Sequence, residues 1–176
     1  IIPTASTNDN NNDNNDGAKD VIVNLRPIAL IDGFLVNGEA GINTVFEGDE
    51  LIFNCSSSYD RDIDEFENLT FLWEFHDPNS GEGNPDMVSI VGMPTVNHRY
   101  ELPGTYMVNL TVIDQDGGKG KASLAIDISN IIPQAVIKLA EKIHYEDEIV
   151  PLSGNSSIDS AFDLNNLEYK WDLGDG

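Results

Sequence analysis

The segment "LTFLWEF" at residues 69–75 returns as "LEYKWDL" at 167–173, with Trp73 and Trp171 standing 98 residues apart. Two further segments repeat in the same order. "NLRPIA" from Asn24 matches "NIIPQA" from Asn130, and "GDELIFNCSSSYD" matches "EDEIVPLSGNSSID" with one residue of slippage. A solenoid repeats every 20–45 residues or so, whereas a period near 100 is the size of a whole immunoglobulin-like sandwich. The repeat therefore predicts tandem units: a linker at 1–20, one complete unit at 21–129, and the leading half of a second at 130–176.

Within the units the hydrophobic period is two. "DELIFNC" puts Leu51, Phe53 and Cys55 on one face and Ile52 and Asn54 on the other. "NLTFLWEF" aligns Leu69, Phe71, Trp73 and Phe75, and "TYMVNLTVID" aligns Tyr106, Val108, Leu110 and Val112. "DVIVNL", "RPIALIDGFLV" and "KASLAIDI" are further strand candidates, the first two broken by Pro27 and Gly33. No amphipathic helix pattern appears. Short strands separated by Gly, Asn, Asp and Pro turns predict an all-β, antiparallel sandwich. Both tryptophans, on alternating strands, are expected in the core.

Composition narrows the partners. The formal charge is −22, with nine Lys and Arg spread along 176 residues. Binding of nucleic acid or an anionic membrane needs clustered cations, so neither is expected. No apolar run approaches the roughly 18 residues of a membrane span. The Asn/Asp-rich opening "IIPTASTNDNNNDNNDGAKD" has little to bury and reads as a flexible linker. The chain reads as a mature fragment, without a signal segment. Cys55 is the sole cysteine, so no internal disulfide exists; it reads as a small buried residue.

Three separated motifs, "SSSYDRD" (with "NSSIDS"), "WEF" (with "WDLGDG") and "HRYELPGTYMVNLTVIDQDGG", occur in an order that resembles the PKD (polycystic kidney disease) domain family. The resemblance implies an immunoglobulin-like sandwich of cell-surface and secreted proteins, and calcium near the inter-domain linker in some members. It also implies a structural hydrogen-bonding role for His98. Two departures stand out. "WEFHDPNSGEG" replaces a tight glycine turn, and "GFLVNGEAGINTVFEG" is long enough to carry an insertion in the first hairpin. "PGTYMV" reads as a tyrosine corner, with the Tyr106 hydroxyl bonded back to the backbone.

Catalytic chemistry finds no support. His76, His98 and His144 stand in no motif with a Ser or Cys nucleophile, and no zinc pattern occurs. Calcium (Ca2+), as a structural cofactor, is the one chemical expectation, because hard cations take several carboxylate, amide and carbonyl oxygens. "YDRDID" offers Asp60, Asp62 and Asp64, "DQDGG" offers Asp114 and Asp116, and Asn24 completes the candidate set. The spacing is not that of an EF-hand. The alternative, solvated carboxylates that support turns through local hydrogen bonds, stays open. Asp159 and Asp163 are the weaker counterparts in the second unit. Sequons at Asn54, Asn68, Asn109 and Asn155 permit glycans.

The leading expectation is a non-catalytic extracellular or cell-surface module, a stalk, spacer or adhesion unit in a tandem array. Its partners would be proteins or surface glycans. Two alternatives stay open: a homo-oligomeric filament or surface layer built by strand complementation, and an accessory domain of a secreted hydrolase.

Overall fold

A computed structural model describes residues 24–61, 66–139 and 147–174. The linker at 1–20, the strand candidate at Val21–Val23, and Asp62 and Asp64 lie outside the described residues. Strands β1 (Gly33–Val36), β3 (Leu51–Asn54) and β6 (Thr95–His98) form one sheet, in the order β1-β3-β6. The second sheet has the order β2-β8-β7-β4-β5, from β2 (Val45–Phe46), β4 (Thr70–Glu74), β5 (Met87–Val91), β7 (Gly104–Ile113) and β8 (Lys119–Ser129). The chain is thus an all-β sandwich.

The period-two alternation decides which side chains meet between the sheets. Leu51, Phe53 and Cys55 are fully buried, and so are Phe71, Trp73 and Phe75; Leu69 is nearly so. Val108, Leu110 and Val112 complete that layer, with Tyr106 only partly buried beside it. The Phe53 ring of one sheet lies 5.9 Å from Trp73 and 5.5 Å from Phe75 of the other. Burying each such ring contributes about 2–3 kcal/mol.

The tyrosine corner is present: Tyr106 Oη donates to the Leu102 carbonyl at 3.0 Å. Tyr100 stacks on that ring and donates its own hydroxyl to the Phe75 carbonyl at 2.9 Å.

Three segments depart from the alternation. "RPIALIDGFLV" is strand only at its end: Asp32 still donates its N–H to the Asn54 carbonyl at 2.9 Å while its carboxylate accepts the Ser57 N–H at 2.9 Å, and upstream Ile28 makes an isolated bridge to Tyr59. The long first connection changes sheets. After β1 the chain turns at Asn37 and Gly38, both at positive φ, and β2 joins the other sheet parallel to the end of β8. The expected burial of Trp171 is corrected: it is 41% exposed. Among the described residues past β8 the only strands are the short β9 (Lys138–Leu139) and β10 (Leu152–Ser153), and none there is a counterpart of β6 or β7 that covers the ring.

Local structure nevertheless repeats beyond β8. Ile28 and Tyr59 exchange backbone hydrogen bonds, as Gln134 and Ile158 do. The Ser58 hydroxyl accepts the Leu30 N–H at 2.9 Å, and the Ser157 hydroxyl accepts the Val136 N–H at 3.0 Å.

Candidate metal centre

The β7–β8 turn carries the first candidate group. Asp114 Oδ1 accepts the N–H groups of Asp116 and Gly118 at 2.9 and 2.7 Å, a local arrangement that Asp favours in turns. Its other oxygen, Oδ2, is buried without a hydrogen-bond partner among the described residues. Such an orphaned charged acceptor is costly unless a cation or water meets it. Asn24 reaches the same spot. A Cβ placed on Gly118 would overlap Asp114 Oδ2 and stand 3.1 Å from Asn24 Nδ2.

Backbone contacts bring Asp60 to this end of the sandwich. Gly120, two residues along from Gly118, lets the Pro27 carbonyl pass where a Cβ would collide. The next residue, Ile28, bridges to Tyr59, the neighbour of Asp60. Asp60 is itself buried at 9% exposure, whereas Asp116 is exposed and contributes its backbone N–H to the turn. Asn24, Asp60 and Asp114 therefore share one end of the sandwich. The three carboxylates that converge most closely among the described residues are different ones, Glu47, Asp159 and Asp163.

Two other chemistry-bearing groups are held in the core. His98 and Asp77 form a fully buried pair at 3.2 Å, with His98 stacked on Phe75. Cys55 is buried, its thiol donating to the Pro94 carbonyl at 3.2 Å; burial, then the charge of Asp32, pushes its pKa up to about 12. A thiol so held is no nucleophile near neutral pH. The sequence motif "HRY" marked His98, but its acidic partner sits in the irregular loop after β4, where no periodicity points to it.

The PKD domain family matches residues 36–128, more than half of the chain. The chain belongs to the PKD domain family. No curated protein matches it. Among solved structures it is similar to carbohydrate-binding modules of the β-sandwich superfamily, at TM-score 0.46 and 19% identity, covering 74% of this chain and 54% of that one. It spans, then, about half the length of that structure. It is also similar to the PKD domain of the human VPS10 domain-containing receptor SorCS2, at TM-score 0.39 and 15% identity, covering 72% of this chain and 96% of that one. At such identities the likeness concerns the fold alone. PKD domains are β-sandwich modules, typically extracellular and generally non-catalytic. Among the described residues of this PKD chain no helix is long and apolar enough to cross a membrane.

Proposed function

We propose that this chain is a load-bearing spacer: a non-catalytic extracellular stalk or adhesion module in a tandem array, with a structural calcium site at its head. One observation carries the reading. The chain comes in at Asn24, beside Gly118 at the start of β8, and leaves from Ser129 at the other end of that strand. The two ends of the eleven-residue strand stand roughly 35 Å apart at about 3.3 Å per residue. Tension along an array would run parallel to β7 and β8 and load their ladder, which runs from Gly104↔Ile128 to Ile113↔Lys119, in shear. All its hydrogen bonds then resist together.

The recurrence of the Ile28–Tyr59 and Ser58–Leu30 contacts as Gln134–Ile158 and Ser157–Val136 supports a second unit beginning at Asn130. The head site consists of Asn24, Asp60 and Asp114. Its support is the orphaned Asp114 Oδ2 beside the Asn24 amide. Calcium there would tie the incoming segment to the β7–β8 turn.

Single-molecule stretching of the chain between inert handles tests the spacer reading. The sandwich is expected to unfold in one step of roughly 35 nm, the contour of its 24–129 segment less its folded length. Its peak force should exceed that of the same chain pulled apart across β7 and β8. Equal forces in the two directions would sink the reading.

A further inference from the structure

β5 (Met87–Val91) is the last strand of the five-stranded sheet, paired with β4 on one side and with no strand on the other among the described residues. The ladder fixes which of its backbone groups are left over. Just beyond the strand ends, Phe75 N–H donates to the Asp86 carbonyl at 2.9 Å and Gly92 N–H donates to the Leu69 carbonyl at 3.0 Å. These contacts flank the register from Glu74↔Met87 to Thr70↔Val91, and hydrogen-bonded pairs alternate along an antiparallel ladder. Val88 and Ile90 therefore bond to β4. The N–H and C=O groups of Met87, Ser89 and Val91 point out of the open edge.

Exposed strand edges are usually blunted by a charge, a proline or a bulge. β5 has none of these. Residues 87–93, "MVSIVGM", carry no charge in a chain of net charge −22. Asp86, just before the strand, turns its carboxylate to its own loop, where Oδ1 accepts the Asp77 N–H. Met87 and Val91 are 54% and 61% exposed. The opposite edge of the sheet, β2, has two residues and runs directly into Glu47.

The open edge also matches itself. In an antiparallel pair of copies centred on Ser89, Met87 of each lies opposite Val91 of the other, and Val88 lies opposite Ile90. Apolar side chains meet apolar ones on both faces, the arrangement that stabilises cross-strand pairs. Every outward N–H and C=O of the two strands finds a partner. A register shifted by two residues either way pairs Met87 or Val91 past the end of the strand. Asp86 falls opposite Gly92 of the other copy, so no acid faces an acid along the seam.

We propose that two copies of the chain associate through β5, edge to edge and antiparallel about a two-fold axis at Ser89, joining their five-stranded sheets into one. Five residues a side fall short of the roughly 1,200 Å² that a stable complex buries, so the association is weak and reversible. The inference goes beyond the spacer reading and does not depend on it.

Sedimentation equilibrium of the 176-residue chain tests this, up to about 0.5 mM and in about 0.5 M NaCl, where repulsion between two acidic chains is screened within about 4 Å. Ser89→Pro is the main variant. Ser89 is exposed and its N–H points away from β4, so proline removes an edge donor and no ladder bond. The parent should pass from monomer to dimer, and Ser89→Pro should lower the association constant about tenfold or more. Two cysteine variants decide independently. In this register the Ser89 Cα atoms stand about 5.5 Å apart, within reach of a disulfide, whereas the Met87 Cα atoms are displaced by about 13 Å along the strands. Oxidised Ser89→Cys should give a covalent dimer and Met87→Cys at least about tenfold less of one, with Cys55 buried and out of reach in both. A parent that stays monomeric, equal association in Ser89→Pro, or cross-linking at Met87→Cys as ready as at Ser89→Cys overturns the proposal. So does a Ser89 amide protected from exchange in the dilute monomer, which would show that the chain's own residues cover the edge.

Discussion

His98 Nε2 lies 3.2 Å from Asp77 Oδ2, and neither side chain reaches solvent. The pair closes when Nε2–H donates to the carboxyl oxygen. Asp77 in turn organises the loop after β4: its Oδ1 accepts the Asn79 N–H at 2.9 Å, and its own N–H donates to Asp86 Oδ1 at 2.7 Å. The altered loop that replaces a tight glycine turn is therefore anchored on the core through one histidine.

Burial holds the His98 pKa below the usual histidine value, against the opposing pull of the Asp77 charge. The unfolded chain then binds the proton more readily than the folded one, so stability falls as pH drops below about 6.5 toward the lower folded value. Urea midpoints at pH 7.5 and 5.5 are expected to differ more for the parent chain than for His98→Gln. That variant should also lose about 3 kcal/mol at pH 7.5, because Asp77 is left buried beside a poorer donor. An equal pH difference in the two proteins would count against His98 as the titrating group.

The Cys55 thiol, pushed up to about 12, is expected to resist alkylation at pH 8 while the sandwich is folded. The check is iodoacetamide labelling across a urea series followed by mass. Labelling should track global unfolding; rapid labelling in native buffer would show that the strand end at Cys55 opens locally.

Gly118→Ala should disturb the head site without touching the core. The added Cβ overlaps Asp114 Oδ2 and crowds Asn24 Nδ2 at 3.1 Å, so one or both must move. A loss of about 1–2 kcal/mol is expected by thermal unfolding, with any calcium-dependent rise in the midpoint reduced. An unchanged calcium response would separate Asp114 from calcium binding.

Much of the sandwich was legible beforehand because period-two alternation is a local signal. Leu51, Phe53, Phe71, Trp73 and Leu110 could be assigned to one buried face from their spacing, since a strand turns successive side chains to opposite sides. Tyr106 was legible for the same reason, helped by "PG" ahead of it. The same logic failed at Trp171, where the alternation holds but the described residues provide no opposing sheet. A strand face is buried only by what packs against it.

The candidate site was legible in part. Asn24, Asp60 and Asp114 were marked by residue type in turns, but what brings them to one end is the Pro27–Gly120 approach and the Ile28–Tyr59 bridge, contacts between distant parts of the chain. Glu47 carried no signal at all. It is one acidic residue among 31 Asp and Glu, and its meaning depends on the connection after β1 changing sheets. The amino-acid sequence by itself determined the all-β class and the identity of the core between the two sheets, because these follow from a periodicity read along one chain. Only the tertiary structure decided which carboxylates meet, because charge carries no periodicity and convergence across 112 positions, from Glu47 to Asp159, is set by strand pairing and the joint between units.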